Sequence, residues 1–163
     1  MSGNITMREY VPGDLEAFRN IWNDIVEDGM AFPGEELLDD DDIRKLIAAQ
    51  SKTIVAEVDG KVAGLYVLHP NNIGRCSHVG NASFGVAKAF RGHGIGRLLV
   101  EHSLKTAREC GFRGMQFNAV VAGNTAALGL YVSLGFRQIG TIPGGFRLKD
   151  DSYSDMHILY KTL

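Results

Sequence analysis

The sequence is poor in the features that mark several large classes of protein. Only Cys76 and Cys110 are cysteines among 163 residues, too few for a disulfide framework; two reduced thiols in a cytosolic protein are expected. There is no basic surplus, since 17 Lys and Arg stand against 19 Asp and Glu for a formal charge of -2. That balance argues against a nucleic-acid partner. No apolar run approaches the roughly 20 residues needed to cross a bilayer. The opening stretch MSGNITMREYVPGD has neither the basic start nor the apolar core of a signal peptide. Neither a membrane partner nor a targeting segment is expected. Repeats, low-complexity tracts and linker-like segments are absent, so residues 1–163 read as one domain. With 45% hydrophobic residues, that domain has enough apolar surface for a sizeable core. Cys76, His78 and Cys110 have no metal-ligand spacing, and no metal is expected.

What is present is a clear alternation of element types. ITMREYV, from Ile5 to Val11, reads as a strand. Asp14 is placed to cap a helix whose Leu15, Phe18, Ile21, Trp22 and Ile25 form one apolar stripe, ending near Gly29. The acidic run Asp39–Asp42 precedes IRKLIAAQ, and carboxylates in a first turn suit the positive end of a helix dipole. TIVAEV and KVAGLYVL flank Asp59-Gly60, a strong hairpin signal. SHVGNASFGVA reads as a strand, followed by a helix ending near Cys110-Gly111. GMQFNAVV is the next strand, and NTAALGLYVSLG is a helix closed by Gly135. FRQIGTI and DMHILYKTL close the chain as two strands around the loop PGGFRLKDDSYS. Hairpins combined with helical crossovers imply an α/β fold with a mixed sheet of seven strands covered by four helices.

One cluster demands a functional reason. In RGHGIGRLL, Arg91 to Leu99, three glycines fall within five positions just before a helix. Glycine loses much backbone entropy on ordering. A glycine-rich turn at a helix start lets phosphate oxygens reach several unpaired backbone N–H groups. A P-loop would need Lys and then Ser or Thr after its last glycine, but Arg97 and Leu98 follow Gly96. A dinucleotide fingerprint would need glycine where Arg97 stands, and an early strand–helix pair rather than one past mid-chain.

The pattern that fits is Arg-x-x-Gly-x-Gly, formed by Arg91, Gly94 and Gly96 between a strand and a helix. It resembles the pyrophosphate loop of the GNAT superfamily, the acetyl-CoA-dependent N-acetyltransferases. FGVAKAFRGHGIGRLLVEHSLKTA is similar to that superfamily's strand, loop and helix for CoA, and NTAALGLYVSLGFRQIG to its following block. A narrower likeness joins PNNIGRCSHVGNASFGV and QFNAVVAGN to yeast proline-analogue N-acetyltransferases, which acetylate small cyclic imino acids.

The resemblance implies a sheet splayed at the acetyl-CoA site and assigns roles. Backbone amides of Gly92, His93, Gly94, Ile95, Gly96 and Arg97 would grip the pyrophosphate, with Arg91 opening the loop. Phe84, Gly85 and Val86 would run beside the pantetheine arm, and the Val86 N–H would stabilise a developing oxyanion. Asn124 and Ala127 would contact the CoA arm, and Tyr131 would protonate the leaving thiolate. On residues alone, Tyr131 fits core packing and Asn124 fits a helix N-cap equally well. Asn81 and Asn118 stand in strands among apolar neighbours, where amides need partners; they bind substrate or bridge the splay. His78 is a candidate proton relay, against the commoner structural role of a lone strand histidine. The acceptor pocket is expected around Phe32, Asn81, Asn118, Phe146 and Tyr153.

The resulting expectation is direct transfer from acetyl-CoA to a small amine, amino acid or imino acid in a ternary complex. No activated nucleophile for an acyl-enzyme stands out. The alternatives are acetylation of a peptide or protein N-terminus, and a non-catalytic acetyl-CoA-binding module. Oligomeric state is not written in the sequence, although exposed final strands offer a surface for a homodimer.

Overall fold

Asp59 and Gly60 adopt φ of 49° and 80°, the left-handed pair required by a two-residue type I′ turn. They fold Lys52–Val58 (β2) back onto Lys61–Pro70 (β3). The computed structural model describes residues 3–163. Ile5–Glu9 (β1) pairs antiparallel with β2, and Val79–Val86 (β4) pairs antiparallel with β3. Gly114–Val121 (β5), Arg137–Arg147 (β6) and Tyr153–Thr162 (β7) complete a seven-stranded sheet ordered β1-β2-β3-β4-β5-β7-β6. Among the described residues, β4 and β5 are the one parallel pair. The expected mixed, mostly antiparallel sheet of seven strands and four helices is therefore the observed architecture.

Leu15–Asp28 (α1) and Asp40–Ala48 (α2) cover one sheet face, burying Phe18, Ile21 and Ile43 against Val55, Leu65 and Val67. Ile95–Glu109 (α3) covers the other, packing Leu99 and Val100 around Tyr66, Leu68 and Met115. Thr125–Ser133 (α4) buries none of its residues completely. Among the described residues, no helix is long and apolar enough to cross a membrane.

The acidic run does what helix electrostatics suggests. The Asp39 carboxylate accepts the Asp42 N–H at 2.9 Å, and the Asp42 carboxylate accepts the Asp39 N–H at 3.1 Å, a reciprocal cap on α2. Asp14 behaves differently from expectation. It precedes α1 but makes no side-chain cap. Its buried carboxylate instead accepts two bonds from Arg8, at 2.8 and 3.0 Å, and one from the Val11 N–H at 2.9 Å.

The last two strands are longer than the sequence suggests, because β6 runs through Pro143-Gly144-Gly145 rather than ending there. An irregularity between Ile142 and Phe146 absorbs the interruption; Gly144 has φ of 58° and donates its N–H to the Asp155 carboxylate at 3.0 Å. As the outermost strand, β6 can carry a proline without losing a ladder bond on its open side.

Arg8 holds the Asp14 carboxyl below the usual carboxylate range, chiefly through its hydrogen bonds. A depressed folded-state pKa contributes stability above the unfolded-state pKa and loses it as pH falls through the folded value. Asp14→Asn is therefore expected to lose about 1–3 kcal/mol at pH 7. Denaturant titrations should show the gap from wild type closing as pH drops below the carboxylate range. A pH-independent gap would assign the loss to packing.

Candidate active site

The site begins where two parallel strands stop pairing. β4 and β5 are in register at Val79↔Gly114 and Gly80↔Met115, and no further pairs follow. β5 carries a bulge: Phe117 faces Leu159 and Val120 faces His157 on β7, so Asn118 and Ala119 together oppose Ile158. A bulge bends its strand and re-aims side chains, which accounts for β5 leaving β4 at this point.

The divergence leaves one edge of β4 open. The Ala87 N–H bonds the Ala63 carbonyl at 2.8 Å, and the Val79 carbonyl accepts the Asn71 N–H at 2.8 Å, so odd-numbered positions of β4 point toward β3. Strand alternation then turns the N–H groups of Ala82, Phe84 and Val86 into the gap. The Val86 carbonyl accepts Arg91 Nε at 3.3 Å, while Arg91 Nη2 reaches Asp28 at 3.2 Å. Arg91 thus anchors the glycine loop to β4 and α1. Gly85 lets α1 lie close, since a Cβ there would sit 2.5 Å from Ile25 Cδ1.

The glycine loop ends in an uncapped helix. Gly92 and Gly94 each have φ of 79°, a conformation that favours glycine. Gly94 occupies the N-cap of α3 and offers no side-chain acceptor, so the first N–H groups of α3 lack intrahelical partners. Gly96 is different: a Cβ there would meet only Val86 Cγ2, at 3.9 Å. Nothing in the fold requires glycine at that position. His93 is exposed, and Arg97 turns along the surface to Ser133 Oγ at 3.0 Å and Glu101 at 3.1 Å.

Three adjoining cavities follow the opening. One of about 610 Å³ is lined by Phe84, Gly85, Val86, Arg91 and Asn124. A smaller one of about 280 Å³ shares Phe84 with it and is walled by Phe32, His69, Asn81, Asn118 and Tyr131. A third of about 710 Å³ shares Phe32 and Asn118 with the second, and adds Phe146, Arg147 and Lys149. Arg147 pairs there with Glu35 across the mouth.

Asn81 and Asn118 meet, as two strands flanking a splay would allow, but through a third amide. Asn71 Oδ1 accepts Asn81 Nδ2 at 3.2 Å and Asn118 Nδ2 at 2.5 Å, and Asn118 Oδ1 accepts Gln116 Nε2 at 2.8 Å. This chain of amides spans the β4–β5 gap. It occupies both ends of Asn118, while Asn81 also lines the second cavity. Asn124 is both the N-cap of α4, accepting the Ala127 N–H at 3.3 Å, and a wall residue of the first cavity.

Tyr131 lies on the same helix, with its ring 4.6 Å from Phe117, 5.8 Å from Phe136 and 6.4 Å from Phe84, centroid to centroid. Burial among these rings pushes its phenol up to about 12. Core packing and a place on the cavity wall therefore coexist.

Two expected site residues lie elsewhere. His78 is exposed just before β4, where β4 and β5 are still paired and its carbonyl accepts the Arg113 N–H at 2.8 Å. It lines none of the three cavities. Tyr153 is 70% exposed at the start of β7 and likewise lines none of them. The apolar end of this loop is supplied by Phe146 instead, which is buried against the third cavity.

The residues missed in their place are His69, Asn71, Gln50 and Gln116. The first had a readable signal: Leu65, Val67 and His69 continue one face of β3. Asn71 and the glutamines had none, because their roles depend on strands meeting across the sheet.

The family described as acetyltransferase (GNAT) matches residues 15–136. The N-acetyltransferase aca1 of Schizosaccharomyces pombe is 38% identical over 106 residues, 63% of this chain and 51% of that protein. The chain thus spans about half the length of that relative. A phosphinothricin N-acetyltransferase of Alcaligenes faecalis is 31% identical over 148 residues, 87% of this chain and 75% of that one. A GCN5-related N-acetyltransferase from Kribbella flavida superposes with a TM-score of 0.90 at 38% identity, covering 98% of both chains. The yncA protein of Salmonella typhimurium, solved with its cofactor acetyl-CoA, gives a TM-score of 0.87 at 25% identity over 98% of this chain and 94% of that one.

If the amide chain holds the divergent strands at a fixed separation, Asn71→Ala leaves two amide donors without their acceptor. Chemical denaturation is expected to show a loss of about 1–3 kcal/mol, while Arg75→Ala, at an exposed position of the same connection, has little effect. Equal stability of the two variants would mean that the amides do not brace the gap.

Proposed function

The chain belongs to the acetyltransferase (GNAT) family of N-acetyltransferases, and from that premise we propose that it acetylates the amine of a small amino- or imino-acid-like molecule. The observation that carries this reading is the open edge of β4, set between an uncapped helix start and a second, smaller cavity. Acetyl-CoA supplies an acyl group already activated as a thioester. The residues present fit it: unpaired N–H groups at the start of α3 suit its pyrophosphate, and the free edge of β4 suits an extended arm paired as a strand. Residues 1–163 act in this reading as one catalytic domain.

The chain's own groups then divide the work. The Val86 N–H, directed into the gap, is the donor for negative charge developing on the acyl oxygen. Asn124 caps α4 with its carbonyl oxygen and keeps its NH₂ for the arm of the cofactor. Tyr131 remains protonated at any physiological pH, because its phenol sits at about 12. A thiolate is a weaker base than a phenolate raised in this way, so full transfer from Tyr131 would be uphill. The same apolar walls that raise the phenol also disfavour a bare thiolate, which narrows that difference.

Phe32, Asn81, Asn118 and Phe146 form the acceptor side, with Arg147 and Lys149 at its outer end. Glu27, Glu35 and Asp151 stand beside these two cations, and Arg147 is paired with Glu35, so a small polar molecule with one amine and one acid group meets apolar, amide and mixed-charge surface. The relative named for acetylating phosphinothricin supports a small acceptor. The final strands present Ile139 and Ile142, both exposed, as a surface on which two copies could pair.

Gly96→Val adds a side chain where the protein has room but the phosphates do not. The free variant should melt like wild type, whereas the acetyl-CoA stabilisation of about 2.7 kcal/mol at a hundredfold excess over Kd should largely vanish. Equal stabilisation of both proteins by acetyl-CoA would refute the pyrophosphate loop. Tyr131→Phe keeps the ring and deletes the proton, so turnover should fall by about 100-fold with acetyl-CoA affinity little changed. Wild-type turnover with chemistry rate-limiting would leave Tyr131 a packing residue. Thiol release measured across amino acids, imino acids, simple amines and peptide N-termini tests the acceptor class. Turnover confined to peptides would overturn it.

A further inference from the structure

An attacking amine must surrender a proton, and His78 lines none of the three cavities. A second histidine lies in the wall of the acceptor cavity, held by a chain of hydrogen bonds that fixes its protonation pattern. Gln50 Nε2 donates to the Leu46 carbonyl at 2.9 Å, at the C-terminal end of α2. A carbonyl can only accept, so this bond sets the orientation of the Gln50 amide and turns Oε1 away from Leu46. That oxygen lies 2.9 Å from His69 Nδ1. An amide oxygen also only accepts, so Nδ1 must carry the hydrogen. In neutral His69 the lone pair is therefore confined to Nε2. His69 stands opposite Asn81 in the β3–β4 register and shares the cavity wall with Tyr131.

We propose that His69 is the general base of the transfer and that Gln50 is its positioning residue. The inference rests on the acetyl-transfer reading above. As the acceptor nitrogen bonds to the acetyl carbon, the bond from that carbon to sulfur breaks and its electron pair leaves on sulfur. The proton released by nitrogen passes to His69 Nε2, directly or through one water, and sulfur takes its proton from the Tyr131 hydroxyl. His69 then returns a proton to the solvent-linked cavity, from which Tyr131 is restored. The sum is one amide and one free thiol, with no proton gained or lost.

The surroundings keep this histidine neutral and ready. Burial lowers its pKa below the ordinary imidazole value, with no charged neighbour contributing. Around it, β4 presents Asn81, the end of α2 presents Gln50, and the loop Ala31–Pro33 brings no titratable group. Lys52 on β2 is tied to Glu9 at 2.7 Å, and Tyr131 is the other titratable group on the cavity wall. A neutral imidazole in the cavity wall, with its lone pair left on Nε2, is poised to accept a proton rather than to hold one.

The test is the pH dependence of kcat/KM for the acceptor in the full chain. Ionisation of the acceptor's own ammonium gives a slope of one on a logarithmic plot in every variant. In wild type the slope should steepen to two below the His69 pKa, at pH under about 6.5. His69→Gln should lose that second break and about 100-fold in kcat/KM at pH 8, while acetyl-CoA affinity is unchanged. Gln50→Glu faces Nδ1–H with a carboxylate, which favours imidazolium, so its break should move to higher pH. Nitrogen-15 shifts of the His69 ring in the unaltered protein should report a hydrogen on Nδ1, independent of any turnover. An active wild-type enzyme in which His69→Gln keeps both rate and break, or a ring protonated at Nε2, would overturn the assignment of His69 alone. Absence of transfer to every amine, with the wild-type protein folded and acetyl-CoA bound, would overturn the acetyl-transfer reading and this inference with it.

Discussion

The organisation of the site depends on one interrupted pairing. β4 and β5 run parallel for two residue pairs, and then a bulge at Asn118-Ala119 carries β5 away. Backbone donors and acceptors cannot be left dry without a cost, so an open edge inside a sheet is either solvated or filled by a partner with strand-like polarity. The glycine loop sits at the open end of β4 and is tied to it through Arg91. The same divergence therefore opens a slot along β4, which in the proposed reading takes an extended cofactor arm, and places an uncapped helix start at its far end. On the other side of the slot, the separation of the strands leaves the cavity walled by Phe32, His69, Asn81, Asn118 and Tyr131.

Two kinds of contact keep the gap from collapsing. Across the polar side, Asn71, Asn81, Asn118 and Gln116 form a continuous chain of amide hydrogen bonds. Along the apolar side, Phe84, Phe117, Tyr131 and Phe136 stack edge to face and face to face. The polar bridge accepts geometry that an apolar contact would not specify, because each amide has fixed donor and acceptor ends. The aromatic wall removes water from the reacting side, and in doing so raises the Tyr131 phenol. Structural and chemical duties thus fall on the same side chains. Asn124 is a second case, being at once a helix cap and part of the wall of the first cavity.

Much of this was legible before any coordinates. Hairpin chemistry at Asp59-Gly60, the stripe of α1 and the glycine loop each follow from local rules, and element order was enough to place the loop between a strand and a helix. The parts that were not legible depend on contacts distant in sequence. Asp14 looks like a cap, but Arg8 reaches its carboxylate across the β1–α1 connection. Pro143-Gly144-Gly145 reads as a loop, but Asp155 holds it in β6 through the Gly144 N–H. His78 and Tyr153 belong to the right neighbourhood in sequence, yet both sit on the surface. Asn81 and Asn118 were recognisable as amides in need of partners; that Asn71 is the shared partner follows only from where the β3–β4 connection returns to the sheet.

Beyond the Gly80–Met115 pair, the N–H groups of Ala82, Phe84 and Val86 are open in the free protein, and the proposed reading has them pair when acetyl-CoA binds. Backbone hydrogen exchange, read residue by residue by NMR, addresses it directly. Ser83 and Gly85, whose N–H groups face β3 by strand alternation, should be protected from the start. Phe84 and Val86 should exchange quickly in the free protein and slow markedly on addition of acetyl-CoA. Protection of Val86 before the cofactor is added, or fast exchange of both residues in its saturating presence, would contradict the account.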